Sequence, residues 1–218
     1  MASWSAENAT KAYLRTLKMG KRRKEPNTVE FIAAFAAGNN AQLMVMACAA
    51  AAGSATLSLV AAAHQTGGRA VCILRGLKEL HASRKTLGPY VDFVEFVMGD
   101  AWILLQSDYK FADFVLIDCK MDEYKAVFVA AQRGMSKKGG LVVGYNALHC
   151  SELRWRDLNL KPHFLPIGEG LMVSKISENE KVKKKSHWVV EVDKCTGEEH
   201  FYRITSPQAK WYIGRDKT

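Results

Sequence analysis

The chain has 218 residues, 48% of them hydrophobic, and a formal net charge of +9. This length and apolar content suit one domain with a sizeable core. No repeat with a period of about 20–50 residues is present, which argues against a solenoid or propeller. The five cysteines never form a C-x-x-C pair, so we predict reduced, packed thiols in an intracellular protein rather than a disulfide framework or a zinc site.

Much of the positive charge lies in two clusters. The first contains Lys11, Arg15, Lys18, Lys21, Arg22, Arg23 and Lys24, and the second contains Lys181, Lys183, Lys184 and Lys185. Such clusters bind phosphates, nucleic acid or anionic membranes, act as nuclear-import signals, or are merely solvated. Neither is interleaved with the aromatic residues that nucleic-acid grooves use for stacking, which favours solvation. We expect a cytoplasmic location, with the nucleus and an anionic partner for residues 21–24 as alternatives.

Residues 1–27 are predicted to form one helix and a basic linker. Residues 5–19 have the apolar spacing of an amphipathic helix, and Ser5 is placed to cap its amino end. A second helix is predicted from Thr28, as its N-cap, to Gly38.

Residues 28–176 are predicted to form the core, because apolar segments of strand length alternate there with helical patterns. The five segments are QLMVMAC, GRAVCIL, VDFVEFVMG, FADFVLID and GLVVGYN. Continuous apolar runs are typical of strands buried on both faces, and strands that alternate with helices form a doubly wound parallel sheet. HFLPI and LMVSKI flank Gly168-Glu169-Gly170 and are predicted to close the sheet as an antiparallel hairpin.

Residues 177–218 begin with the polar stretch SENEKVKKK, which predicts a loop. HWVVEVD and EHFYRIT then flank KCTGE and are predicted to pair as a second hairpin. No large second domain is left over, so we predict a single α/β domain over residues 1–218.

The apolar segment Leu43–Ala63 is long enough to span a membrane, but its composition argues against this. Ala, Gly and Ser dominate, and the larger apolar residues that drive membrane insertion are few. We therefore expect no membrane span, and interpret the segment as a buried strand, a tight loop and a helix.

The loop of small residues around Ala49–Gly53 is the expected ligand site. In doubly wound sheets, ligands bind outside the carboxyl ends of the strands, where the strand order reverses. Small side chains let the backbone approach a ligand, and the helix after Gly53 points its free N–H groups at the loop, where a carboxylate or phosphate is favoured.

Several of these motifs resemble those of class I small-molecule O-methyltransferases, most closely the metal-dependent caffeoyl-CoA type. The motifs are VEFVMGDA, FADFVLIDCKMDEY, SKKGGLVVGYNAL and FLPIGEGLMVSK, and the likeness extends over residues 28–175. The opening WSAENATKAYLRTLK and the tail resemble a plant family of uncharacterised methyltransferase-like proteins. The resemblance implies a Rossmann-like methyltransferase sheet that binds S-adenosylmethionine.

The resemblance also implies which residues line the cofactor. Ala47 stands where the family has Glu, and Leu74 or Arg75 stands where it has the acid that bridges the ribose hydroxyls; Glu79 could replace that acid by reaching back about one turn. The full expected set is Ala47, Ala49, Ala51, Gly53, Thr56, Arg75, Gly99, Asp100, Ala101 and Asp118.

The family's metal-binding positions correspond to Asp118, Tyr145 and Asn146. One carboxylate and one amide are too few oxygen ligands for a dication such as Mg²⁺, so no metal is expected. Asp118 and His149 are the candidate catalytic groups, either of which could assist deprotonation of an acceptor. The alternatives are that Asp118 caps the next helix and that His149 is a bystander.

Three functions remain open. The first is methyl transfer from S-adenosylmethionine to a small molecule, the second is a methyltransferase-like binding or scaffolding module without turnover, and the third is binding of nucleic acid or phosphate through the basic clusters. A small-molecule ligand is expected, and a homodimer is suggested by analogy with the family.

Overall fold

The computed structural model describes residues 4–20, 27–135, 139–149, 162–176, 186–192 and 199–205; for His149 and the last two segments it describes the backbone alone. The chain divides into two compact units, Met1–Glu178 and Asn179–Thr218. The predicted core ends close to this boundary, and the assignment of the whole chain to one domain stays a prediction.

The first unit is built on a seven-stranded sheet. Its strands are β1 (Leu43–Ala47), β2 (Arg69–Leu74), β3 (Val94–Met98), β4 (Phe114–Asp118), β5 (Gly140–Tyr145), β6 (His163–Leu165) and β7 (Leu171–Ile176). The order is β3-β2-β1-β4-β5-β7-β6. β1 to β5 pair in parallel, and β7 pairs antiparallel with both β5 and β6. The predicted mostly parallel sheet with an antiparallel closing hairpin is confirmed.

Helices cover both faces of this sheet. They are α1 (Ala6–Met19), α2 (Thr28–Gly38), α3 (Ser54–Thr66), α4 (Leu77–Leu87), α5 (Ala101–Leu104) and α6 (Tyr124–Gly134). Met44 and Met46 of β1 pack toward α2 and α3, and Val45 and Ala47 pack toward α5 and α6. The central strands are therefore apolar at every position because each face is buried in its own core.

The predicted N-cap residue is correct for α1 and wrong for α2. Ser5 caps α1 as expected, because its hydroxyl accepts from the Asn8 N–H at 3.2 Å. The N-cap of α2 is Asn27, so the prediction of Thr28 was wrong. Asn27 and Glu30 form a reciprocal capping box. The Thr28 hydroxyl donates instead to the Ile167 carbonyl at 3.2 Å.

The predicted strand VDFVEFVMG begins later in the structure, at Val94. α5 has only four residues, α6 begins at Tyr124, and a 3₁₀ helix, Gly88–Phe93, precedes β3. Within the described residues, no helix combines the length and the apolar content that a membrane crossing requires.

Cys48, Cys72 and Cys119 are buried and are not in disulfides, as predicted for these three. A hydrogen bond with Cys72, together with burial, raises the pKa of the Cys48 thiol, so this group stays protonated at neutral pH. Cys150 and Cys195 lie outside the described residues.

The second unit contains a two-stranded antiparallel sheet, β8 (Ser186–Val192) with β9 (Glu199–Thr205). The predicted C-terminal hairpin is confirmed. The polar stretch that precedes it lies outside the described residues.

Candidate functional site

The candidate site lies at the carboxyl edge of the parallel strands, where the sheet order reverses. β1 pairs with β2 on one side and with β4 on the other, so the loops that follow β1 and β4 leave in opposite directions. The space between these diverging loops at the carboxyl ends of the central strands, called here the crevice, is the usual ligand position in doubly wound sheets.

The loop of residues 48–53, called here the alanine loop, follows β1 and is held by two hydrogen bonds. The Cys48 N–H donates to the Ile73 carbonyl at 3.2 Å, and the buried Ala52 N–H donates to the Ser83 hydroxyl at 2.8 Å. None of the loop residues has a positive φ. Alanine can therefore stand where the resembling family has glycine, because the backbone conformation is one that any residue adopts.

Ser83 connects the alanine loop to α4, and its removal is expected to loosen the loop. Its hydroxyl donates to the Glu79 carbonyl at 2.6 Å while accepting from Ala52. Ser83→Ala leaves a buried N–H without a partner, so we expect the free energy of unfolding to fall by about 1–3 kcal/mol. Urea denaturation measures this, and hydrogen exchange at Ala52 should accelerate.

Thr86→Ala is the matched control for this prediction. Its hydroxyl makes the same kind of bond, to the Ala82 carbonyl at 2.9 Å, but this bond is exposed and lies within α4. We expect a change within about 0.5 kcal/mol. Equal effects of the two substitutions would show that the loop bond contributes nothing.

Two expected cofactor positions point their side chains into the core. Ala47 is fully buried beneath the crevice, and Thr56 is also fully buried. The Thr56 hydroxyl donates to the Met46 sulfur at 3.4 Å and accepts from the Cys72 thiol at 3.7 Å. At these positions a ligand meets the backbone rather than a side chain. Ala49 and Ala51, in contrast, are partly or fully exposed in the alanine loop.

The ends of β2 and β3 lie side by side next to the alanine loop. The Gly99 N–H donates to the Leu74 carbonyl at 3.0 Å. Leu74 is fully buried, whereas Arg75 is exposed. Asp100 caps α5 through one carboxylate oxygen, which accepts from the Trp102 N–H at 2.7 Å. The second oxygen of this exposed carboxylate has no described partner, which leaves a free acceptor after the carboxyl end of β3.

Asp118, Tyr145 and Asn146 form one hydrogen-bonded cluster, called here the Asp118 cluster. The Tyr145 hydroxyl donates to Asp118 Oδ2 at 2.9 Å, and the Asn146 amide donates to Oδ1 at 2.8 Å. The backbone N–H of Lys120 donates to the same Oδ1 at 3.0 Å. Burial, and then the charge of Asp118, raise the pKa of Tyr145, so its hydroxyl remains a donor.

The Asp118 cluster does not fit a divalent cation. Both carboxylate oxygens of Asp118 already accept hydrogen bonds, and the phenol of Tyr145 stands where a metal-binding acid would be needed. Within the described residues, no group of three or more His, Cys, Asp or Glu side chains could hold a metal ion. The residues present instead form a closed polar network that needs no metal for its hydrogen bonds.

The structure shows a capping role for Asp118 but does not describe the side chain of His149. Asp118 caps the turn after β4 through Lys120, whereas the N-cap of α6 is Glu123. His149 ends the 3₁₀ helix Ala147–His149, and its side chain lies outside what the structure describes. Its catalytic role therefore stays a prediction.

The strand order and the crevice define the Rossmann-like fold of class I methyltransferases, and solved structures share it. A methyltransferase from Geobacter sulfurreducens is 19% identical, with a TM-score of 0.54, over 79% of this chain and 90% of that chain. An O-methyltransferase from Bacillus cereus in complex with SAH (S-adenosylhomocysteine) is 16% identical, with a TM-score of 0.53, over 79% of this chain and 92% of that chain. These likenesses establish the fold.

The chain belongs to the family described as "Protein of unknown function (DUF1442)", whose profile matches residues 1–204. No protein with curated function matches the sequence.

Proposed function

We propose that this protein is an S-adenosylmethionine-dependent methyltransferase that acts on a small molecule without a divalent metal. The observation that carries the proposal is the convergence of three features at one edge of a methyltransferase sheet. These are the alanine loop after β1, the exposed carboxylate of Asp100 after β3, and the Asp118 cluster after β4 and β5.

Each feature has a role in binding. The second oxygen of Asp100 and the backbone of Ala101 receive the adenine, and the backbone of the alanine loop faces the methionine portion. The free N–H groups at the amino end of α3 favour the carboxylate of that portion. Bound S-adenosylmethionine would supply an activated methyl group, so the chain itself has only to hold the acceptor in line and to remove its proton.

The Asp118 cluster supports removal of that proton. An acceptor hydroxyl next to Tyr145 donates to the phenol oxygen, which has free lone pairs. The phenol proton passes at the same time to Asp118 Oδ2, 2.9 Å away. The acceptor loses one proton, Asp118 gains one, and Tyr145 is unchanged. His149 remains a second candidate for this step.

We expect S-adenosylmethionine to bind more weakly than it would to a methyltransferase of this fold with acids at the ends of β1 and β2. Ala47 and Leu74 supply no carboxylate at the ends of β1 and β2. Hydrogen bonds to charged groups contribute about 1.5–3 kcal/mol each, so each position that lacks an acid lowers the affinity by about tenfold or more.

Isothermal titration calorimetry with S-adenosylmethionine and S-adenosylhomocysteine, with and without Mg²⁺, tests the proposal. We expect saturable binding that Mg²⁺ does not change. Asp100→Asn should weaken it several-fold, since it removes charge at the adenine position, and Asp92→Asn at the opposite end of β3 should have no effect. No binding at millimolar ligand contradicts the proposal, and Mg²⁺-dependent binding contradicts its metal-free form.

A second candidate is a binding protein without turnover. It is favoured by the full engagement of both Asp118 oxygens, which leaves no free base on that side chain. Ligand binding without methyl transfer to any acceptor would support it. The homodimer, the cytoplasmic or nuclear location and the plant origin of the family stay predictions.

Binding of nucleic acid through Lys21, Arg22, Arg23 and Lys24 also stays a prediction, because these residues lie outside the described ones. Salt-sensitive retention on heparin or RNA that is lost in an Arg22→Ala, Arg23→Ala variant would support it.

A further inference from the structure

The carboxyl end of β2 carries no acid of its own. Its last residue, Leu74, is fully buried, and the next, Arg75, is exposed. Gly76 then forms the N-cap of α4 in an extended conformation, with no side chain to cap the helix. These three residues alone would therefore offer a ligand at the end of β2 only the guanidinium group of Arg75 and backbone atoms.

Glu79, one turn into α4, reaches back to this position. Its Oε2 lies 3.4 Å from the point that a Cβ on Gly76 would occupy. The carboxylate therefore lies over Gly76, directly beyond the end of β2. Within the described part of the chain, it makes no hydrogen bond or ion pair, and its side chain is half-buried. An acceptor with free lone pairs is thus present at the end of the second strand.

In nucleotide-binding α/β sheets, an acid at the end of the second strand accepts the ribose hydroxyls of the ligand. We propose that Glu79 performs this task here and binds the ribose of the adenosine group, so that the site recognises a nucleoside with both hydroxyls free. This inference rests on the proposed binding of S-adenosylmethionine. The acid is displaced by one helical turn from the strand, and its carboxylate lies in contact distance of Gly76, just after the end of β2.

Two other roles are possible for this end of β2, and each predicts a different ligand. An acid in the first turn of a helix can act on the helix dipole alone, in which case the ribose hydroxyls are irrelevant. Arg75 could instead accommodate a phosphate on the ribose, as an arginine does at this place in some dinucleotide-binding folds. The hydroxyl pattern of the ligand separates the three roles.

The test is an NMR titration with adenosine, 2′-deoxyadenosine, 3′-deoxyadenosine and the 2′- and 3′-monophosphates of adenosine, which tolerates millimolar dissociation constants. The wild-type protein should bind adenosine about tenfold more tightly than either deoxynucleoside, because each lacks a hydroxyl that donates to a carboxylate. In Glu79→Gln this preference should disappear, and S-adenosylhomocysteine should bind about tenfold more weakly.

Asp92→Asn is the matched control, since it changes a carboxylate to an amide at the opposite end of the sheet and should preserve the preference. The thermal unfolding midpoint of Glu79→Gln should equal that of the wild type, which excludes a merely structural effect. Retention of the hydroxyl preference in Glu79→Gln overturns the inference. Tighter binding of either monophosphate than of adenosine, lost in Arg75→Gln, also overturns it.

The failure of this inference differs from the failure of the proposed function. If S-adenosylhomocysteine binds equally well to the wild type and to Glu79→Gln, the inference is wrong and the proposed function stands. If adenosine is recognised through Glu79 but S-adenosylmethionine neither binds nor donates a methyl group, the inference stands and the proposed function is wrong.

Discussion

Asp118→Ala is expected to lower the free energy of unfolding by about 3 kcal/mol. The substitution leaves three donors without their acceptor: the Tyr145 hydroxyl, the Asn146 amide and the Lys120 N–H. Because Asp118 is only 8% exposed, water cannot easily replace the lost carboxylate. Urea denaturation followed by circular dichroism measures the change.

Two further variants make this result specific to the Asp118 cluster. Tyr145→Phe removes one of the three donors and should cost about 1 kcal/mol. Asp122→Ala, an exposed acid four residues along the chain, should change the free energy by less than about 0.5 kcal/mol. A loss below about 1 kcal/mol for Asp118→Ala would show that the carboxylate is hydrated rather than held by the cluster.

Gly134→Ala should lower the free energy of unfolding by about 2–3 kcal/mol. A Cβ at this last residue of α6 would overlap the carbonyl oxygen of Leu105, which belongs to the backbone and cannot rotate away. The substitution therefore has to push α6 away from the segment that follows α5. Urea denaturation is again the measurement.

Gly53→Ala is the control for this prediction. A Cβ at Gly53 would meet no atom within 4 Å, and its φ of −143° is ordinary for any residue. We expect a change within about 0.5 kcal/mol. A larger loss at Gly53 than at Gly134 would contradict the packing described for both positions.

The sheet could be predicted from the sequence because its central strands are buried on both faces. Such strands read as continuous apolar runs, and helical patterns separate them at a regular spacing. The closing hairpin was predicted from Gly168 and Gly170, and both adopt a positive φ, 55° and 83°, that glycine tolerates.

The N-cap of α2 has a local signal that separates the two candidates. Asn27 and Thr28 are both good capping residues, but Asn27 is followed three residues later by Glu30, as a capping box requires. The bond from the Thr28 hydroxyl to the Ile167 carbonyl, in contrast, joins residues far apart in the chain, and no local pattern reveals it.

The candidate site was only partly predictable for a similar reason. The resemblance placed Asp118, Tyr145 and Asn146 at related positions, and the structure joins them in one cluster. The contribution of α4 comes from side chains that reach other elements. Ser83 accepts a hydrogen bond from the alanine loop, and the Glu79 carboxylate lies next to Gly76, after the end of β2. Ser83 was not predicted, since a serine inside a helical pattern carries no signal of a partner 31 residues away.

A crystal structure of the protein soaked with S-adenosylhomocysteine tests most directly whether the crevice at the carboxyl edge holds an adenosyl ligand. We expect the adenine next to Asp100 and Ala101, the ribose hydroxyls on the Glu79 carboxylate, and the amino-acid portion along the backbone of the alanine loop. A crevice that stays empty at saturating ligand, or a ligand held on another surface, would contradict this assignment.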